Sequence, residues 1–476
     1  MPELPRFPAG RFALFLELAL ALALALPLRA QSPTDPALAA RIDAIANQVL
    51  QSTSVPSASV AVVQHGRLTY AHAYGDARLE PRTPATADMR YSIGSISKQF
   101  TAAAMLLLQE QGKLSLDDPV ARYIPSLARA NEVTLRQLLS HTSGYQDFWP
   151  QDYVMPMMLK PTTPDAILER WGKQGLDFDP GTRWQYSNTN YAIAGLIVQK
   201  VAGQPFFEFL RQRILQPLGL QSARDFDADA HAADAAGYLR YGLGPLRPAP
   251  DAGPGWGYAM GELAMTASDL ARWDIAMIDE TILKPSSYTE MERDVLLKNG
   301  TSTGYGLGVD VSSTAGHRTI EHSGEMSGFT AENIVYPDDS LAVVVLTNQD
   351  AATAAESIGE QVGQLLLAGA AAADPDAQAR TAQARAVLEG LQHGTVDRSL
   401  FTDDANFYFS PAALRDFASG LAPLGTLQGF QQLATRFRGG MRLRVFRATF
   451  AQRALRVWTY QMPDGKLEQY QVAPQG

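Results

Sequence analysis

Ser95 and Lys98 stand three residues apart in Ser95-Ile96-Ser97-Lys98, ahead of a run, Thr101 to Gln111, in which Ala102 to Leu108 are almost wholly apolar. A helix apolar on every side is a buried one, and Gly112 is placed to end it. Polar groups at its first turn therefore need a reason. Residues three apart share a helix face, so hydroxyl and amine lie side by side at the helix N-terminus, where backbone N–H groups also face an anion. A lysine in a poorly hydrated pocket loses its proton more readily and can then accept one from a neighbouring hydroxyl. That is the chemistry of acyl transfer, with Ser95 as nucleophile. The pair alone is unspecific, because at average residue usage this spacing arises by chance about once in a chain of such length.

Two further clusters join it. Tyr186-Ser187-Asn188 precedes a helical stretch, Tyr191 to Val201, and His322-Ser323-Gly324 closes a predicted strand, Arg318 to His322. A Ser-x-x-Lys, a Tyr-x-Asn 91 residues after the serine and a His-x-Gly 227 residues after it resemble, in that order, the class C β-lactamases and their penicillin-binding relatives. Those relatives include D-alanyl-D-alanine carboxypeptidases, D-aminopeptidases and esterases. Leu138 to Gly144, Met265 to Ala271, Tyr305 to Gly308 and Ala342 to Asn348 support the resemblance, which covers about Pro36 to Leu367.

The resemblance implies an enzyme without cofactor or metal. Ser95 attacks a carbonyl, while Lys98 and Tyr186 share the proton work. Which of the two is the base stays open, since strongly coupled groups titrate as a pair. Asn188 orients Lys98 and the substrate amide, and His322, Ser323 and Gly324 bind substrate. The backbone N–H groups of Ser95 and Glu325 form the oxyanion hole. Substrates implied are D-amino-acid peptides, β-lactams or short esters, and a penicillin-binding sensor of cell-wall fragments with little turnover is the alternative. The chain departs from the pattern at His322, where lactamases usually carry lysine. Histidine is only partly charged near neutral pH, which favours peptidase or esterase activity over cephalosporin hydrolysis. At Glu325 a small residue is usual, and a carboxylate there repels acidic substrates.

Other readings compete. Gly300-Thr301-Ser302-Thr303-Gly304 fits a nucleophile elbow with Asp310 and His317 downstream, but that device needs a buried strand before the serine and a helix after it, and Tyr305 to Val309 looks extended. The seven histidines are scattered with no metal-binding spacing. His141 reads as structural support beneath the site. Tyr145, Phe148, Trp149, Tyr153, Trp256 and Tyr258 are candidates for a substrate groove, with core packing as the plainer reading.

The elements that must position these groups are an α+β set. Pro36 to Gln51 has helical spacing and precedes two strands, Ser59 to Val63 and Arg67 to Tyr74. Arg318 to His322, Gly328 to Tyr336 and Leu341 to Thr347 complete an antiparallel five-stranded sheet, with a helix at Ala354 to Leu367. The residues between, Ser95 to about Leu297, form a helical lobe. Ahead of all this, Phe12 to Leu26 is apolar, flanked by Arg6, Arg11 and Arg29, and reads as a secretory signal ending at Ala30, with an uncleaved membrane anchor as the alternative. The chain carries a formal charge of −9 and no cysteine, which suits a bacterial periplasm or secretion and gives no nucleic-acid signal. The oligomeric state has no signature.

Residues 368–379, alanine-rich with Asp374-Pro375-Asp376, read as a linker to a small α+β domain, 380–476, whose outline resembles the nuclear-transport-factor-2-like class. Its helices are expected near Ala379 to Gln392 and Pro411 to Leu421, and its strands near Arg442 to Phe450, Ala454 to Gln461 and Lys466 to Val472. It carries 12 basic and 7 acidic residues in an otherwise acidic protein. Arg442 and Arg444 alternate onto one strand face, for docking on the catalytic part or for an anionic envelope polymer, against a solvated face as the plain alternative.

Overall fold

The structure, a computed structural model, describes residues 35–149, 154–241, 244–314, 316–367, 376–438 and 441–474. The expected signal, Met1 to Ala30, and most of the expected linker lie outside them. Among the described residues no helix is long and apolar enough to cross a membrane. Asp35 accepts a hydrogen bond from the Ala37 N–H and Pro36 supplies a fixed first φ, so α1 (Pro36–Thr53) starts where the sequence turns periodic.

Strands β1 (Ser57–Gln64), β2 (Arg67–Leu79), β3 (Arg82–Pro84), β4 (Asp310–Thr314), β5 (His317–Met326), β6 (Phe329–Tyr336) and β7 (Leu341–Thr347) form one antiparallel sheet in the order β3-β2-β1-β7-β6-β5-β4. The five expected strands are its centre. The two extra edge strands escape a hydrophobic reading because β4, Asp310-Val311-Ser312-Ser313-Thr314, holds a single apolar residue and β3 is three residues long. β1 is buried on both faces: Ala58, Val60 and Val62 meet α1 and α5 (Ala354–Leu366), and Ala61 and Val63 meet the helical lobe.

In that lobe, every residue of α2 (Ser97–Glu110) from Ser97 to Leu108 is buried, as its composition requires. It packs against α3 (Asn188–Ala202), while α4 (Ala267–Ile278) lies on β1 and β7. β5 runs on to Met326, so the His322 triplet sits inside a strand rather than at its end.

The C-terminal region packs α6 (Ala377–Gln392), α7 (Asp403–Tyr408) and α8 (Pro411–Leu421) with a four-stranded antiparallel sheet, β8 (Gly429–Arg438), β9 (Met441–Thr449), β10 (Ala454–Gln461) and β11 (Leu467–Pro474), paired in sequence order. Ala377 to Ala379, expected in the linker, belong to α6. β8 was not expected: Gln431-Gln432 and an irregular register between Gln432 and Ala434 break its alternation. The core holds Leu388, Leu391, Phe446, Val457 and Tyr470.

The expectation for Arg442 and Arg444 is corrected. They do share a face, but it is the face of Phe446 and Val457, turned into the region's own interior. Arg444 is 1% exposed and donates to Gln461 Oε1 at 2.7 Å. Among the described residues Arg456, on the opposite face, reaches the catalytic part. It donates to Ser357 Oγ at 2.7 Å and pairs with Glu356 and Glu360 at 3.2 and 3.4 Å, all on α5.

Candidate active site

Ser95 sits in a single 3-10 turn, Gly94–Ile96, that runs into α2. The backbone around it lies against β5 without room for a side chain. A Cβ on Gly324 would stand 2.0 Å from the Ile93 carbonyl oxygen, and one on Gly94, whose φ is +50°, would stand 2.6 Å from the Glu325 nitrogen. Only glycine allows both approaches. The pairing of β4 with β5 stops at Asp310, the first residue of β4, opposite Glu321, so beyond Glu321 β5 has a strand partner on one side only. Ser323, Gly324 and Glu325 then line the cleft that holds Ser95, a space of about 830 Å³.

One turn along α2, Lys98 is fully buried, and its Nζ lies 3.0 Å from Ser95 Oγ, 2.8 Å from Asn188 Oδ1 and 2.9 Å from the Met260 carbonyl oxygen. The second and third of these can only accept. Charged, the amine can donate to all three; once it has lost a proton it has two hydrogens and one lone pair, so two N–H bonds directed at Asn188 and Met260 leave the lone pair for the serine hydroxyl. Asn188 is oriented in turn by Asp147, whose Oδ1 accepts the Asn188 backbone N–H at 2.8 Å and whose Oδ2 faces the Asn188 amide nitrogen at 3.5 Å. A carboxylate accepts only, which fixes the amide oxygen toward Lys98. Burial pushes the Asp147 carboxyl up to about 6, against the opposing pull of backbone N–H groups and Lys98.

Tyr186 brings its ring over the same amine, with Lys98 Nζ 4.9 Å from the ring centroid. Behind it the buried ring of His141 lies 4.4 Å away, centroid to centroid, and His141 Nδ1 accepts the Ser187 N–H at 3.1 Å. His141 thus braces the Tyr186-Ser187-Asn188 segment from beneath.

His322 is the correction among the expected substrate contacts. It is fully buried, its Nδ1 donates to the Ser323 carbonyl at 2.6 Å, and its Nε2 meets the Tyr305 hydroxyl at 3.0 Å. It lies behind the cleft wall rather than in it. Glu325 lines the cleft, but its Oε1 accepts the Ala351 N–H at 2.6 Å, which draws the carboxylate toward the loop ahead of α5.

The expected aromatic groove is mostly core. Tyr145, Phe148 and Trp256 are buried, with the Phe148, Trp171 and Trp256 rings packed 5.5 to 6.1 Å apart, and Tyr153 lies outside the described residues. Trp149 does line the cleft, joined by Trp184, Trp458 and Tyr460, which the sequence did not single out. Asp147 and Met260 were also missed. Met260 acts through its carbonyl, which any residue would supply, and Asp147 has no motif around it.

The rival Ser302 is in an isolated bridge with Leu296 and no helix follows it, while His317 pairs with Asp339 at 2.8 Å instead of approaching the serine. Among the described residues no group of histidine and carboxylate side chains could hold a metal ion.

Residues 42–368 match the family described as Beta-lactamase. Penicillin-binding protein 4* of Bacillus subtilis (strain 168) is 28% identical over 326 residues, 65% of this chain and 72% of that protein. A D-aminopeptidase of Brucella anthropi is 28% identical over 314 residues, 64% of this chain and 59% of the relative, so the chain spans about three-fifths of that enzyme's length. The solved D-stereospecific amidohydrolase of a Streptomyces species superposes with a TM-score of 0.58 at 27% identity, covering 66% of this chain and 96% of that one. A Ser-x-x-Lys pair at a helix N-terminus, its lysine buried and its serine in the cleft, joined by the tyrosine and asparagine of a second helix start, thus stands within a family match over more than half of the sequence: the chain belongs to the β-lactamase family of serine hydrolases.

Proposed function

We propose that the chain is an exported hydrolase that cleaves a small amide, of the D-amino-acid peptide or amide class, through an acyl-enzyme on Ser95. The observation that carries this reading is the Lys98 amine, 3.0 Å from Ser95 Oγ and held by the acceptors Asn188 Oδ1 and the Met260 carbonyl, so that in its deprotonated form the lone pair is left for the serine proton. Lys98 takes that proton as Oγ adds to the substrate carbonyl, and the backbone N–H groups of Ser95 and Glu325 receive the oxyanion. The amine leaves with a proton delivered from Lys98 by way of Tyr186, whose ring adjoins it. Water then hydrolyses the ester on Ser95 and restores the serine. His322 holds Tyr305 and the cleft strand in place. The substrate class is supported by the activities for which the aminopeptidase and amidohydrolase relatives are named, and export by the apolar leader, Phe12 to Leu26.

The test is turnover of a p-nitrophenyl ester and of D-amino-acid p-nitroanilides by the full chain. Steady release that vanishes in Ser95→Ala and survives in Ser302→Ala is expected. A single stoichiometric burst means a penicillin-binding sensor instead, and activity lost only in Ser302→Ala removes Ser95 from the chemistry.

A further inference from the structure

Asp147 is held in place without help from its own ionisation. Thr189 and Ser187 donate their hydroxyls to the Gln146 carbonyl oxygen at 2.6 and 3.3 Å, which pins the loop to the first turn of α3. Ser187, just ahead of that helix, makes no side-chain cap of its own. Asp147 Oδ1 takes the Asn188 N–H instead, together with that of Trp149 at 3.2 Å. Oδ1 is thus committed to two backbone donors, while Oδ2 faces the Asn188 amide nitrogen. The side chain is half-buried and lines the cleft, from which a proton can arrive.

This placement makes the Asn188 amide a two-position element. With Asp147 ionised, Oδ2 can only accept, so the amide nitrogen turns toward it and the amide oxygen toward Lys98. A proton on Asp147 goes to Oδ2, because two N–H groups already engage Oδ1. The new O–H then opposes the Asn188 N–H, donor against donor, and a half-turn of the amide about its Cβ–Cγ bond removes the clash. After the half-turn the amide oxygen accepts from Asp147 and the amide nitrogen faces Lys98 Nζ. Lys98 has then lost one of its two acceptors, and an amide N–H points at the lone pair that would take the serine proton. The titration lies within reach: burial holds the Asp147 carboxyl up at about 6. Among the described residues the charged group that acts on it is Lys98, from α2. Tyr186 and His141, the other titratable side chains of the segment, lie over Lys98 and beneath Ser187.

We propose that Asp147 is a positioning residue of the acylation step that serves only as the carboxylate, and that its protonation turns the Asn188 amide round and silences Lys98. The switch acts through Asn188 and not on the serine. It rests on the reading of Ser95 as the nucleophile with Lys98 as its proton acceptor, and adds what turns that pair off in acid.

Single-turnover acylation of the full chain by p-nitrophenyl acetate, followed from about pH 5 to about pH 8, tests it. Asp147→Asn presents N–H donors to Asn188 as the protonated acid does, so it is expected to acylate about 100-fold more slowly than wild type at the alkaline end. Asp147→Ala leaves the Asn188 amide free to follow Lys98 and is expected to lose only about tenfold. The ratio of wild type to Asp147→Asn should close as pH falls through about 6, a comparison that cancels any titration of Lys98 the two share. A role in packing alone predicts the reverse order, with the isosteric asparagine milder than alanine, and a ratio independent of pH. Either result overturns the proposal. Should melting show that Asp147→Asn is unfolded, the ratio of wild type to Asn188→Ala carries the same test: it too must close below about 6, and a constant ratio overturns the switch. Loss of all acylation in Ser95→Ala reports on the nucleophile separately, whichever way Asp147 behaves.

Discussion

Arg456 Nη1 donates to Ser357 Oγ at 2.7 Å, and this bond joins two parts of the molecule that have separate hydrophobic cores. Arg456→Ala is expected to destabilise the protein by about 1.5–3 kcal/mol, the range for hydrogen bonds to charged groups. Arg447, its exposed cross-strand neighbour, is the control: Arg447→Ala should stay within about 0.5 kcal/mol. Thermal melts of the three proteins check this, and equal melting points would mean that Arg456 does not secure the region.

Lys98→Ala is expected to slow acylation of Ser95 by about 10²–10⁴-fold, the usual contribution of a positioned proton acceptor. Asn188→Ala should cost less, about 10–100-fold, because it loosens the amine without removing it. Stopped-flow release of p-nitrophenol measures both. An Asn188→Ala loss larger than that of Lys98→Ala would contradict the assignment.

His322 is enclosed by Tyr305 and its own strand, so His322→Asn should lower kcat. KM for a carboxylate-bearing substrate should stay within about twofold, since no contact with that group is lost. A large rise in KM that grows with pH would restore a substrate-binding histidine.

The loop that offers the Met260 carbonyl to Lys98 is held by two acids, half-buried Asp227 and buried Glu262. Asp227 accepts the N–H groups of Gly255 and Gly257, and Glu262 accepts that of Ala259. Burial, with the charge of Asp225 added, raises the Asp227 carboxyl to about 7 and lifts Glu262 as well. A carboxyl whose folded pKa lies above its unfolded value takes up a proton on folding, so stability from this source rises as pH falls from about 8 toward 5. Asp227→Asn should flatten that part of the melting curve against pH. An unchanged slope would place the proton uptake elsewhere.

Much of the site was legible because its chemistry lies in side chains at fixed spacings. Ser95 and Lys98 share a helix face by local geometry, and the buried character of α2 follows from Ala102 to Leu108. Asn188 and Met260 reach Lys98 from sequence distances of 90 and 162 residues, and only the first carries a motif. A carbonyl group leaves no trace in residue type. The fold was legible where apolar residues run together, as in β1 and β7, and not in polar β4 or irregular β8. The arginines misled for a plain reason. Alternation shows that Arg442 and Arg444 share a face, but not which face of the sheet points inward, and that depends on helices packed from elsewhere in the chain.

The pairing of β1 with β7 sets Ala58 opposite Thr347, so neighbours in the centre of the sheet are separated by about 290 residues of chain. A ribosome must release the whole helical lobe before the N-terminal hairpin meets its partner. Until then β1 has an open backbone edge and two apolar faces uncovered. Closing so long a loop costs little at equilibrium, about 0.6 kcal/mol per doubling of its length, but it delays the first productive encounter. Nascent chains of this protein are therefore exposed to aggregation for most of their synthesis, until β7 arrives to close the edge of β1.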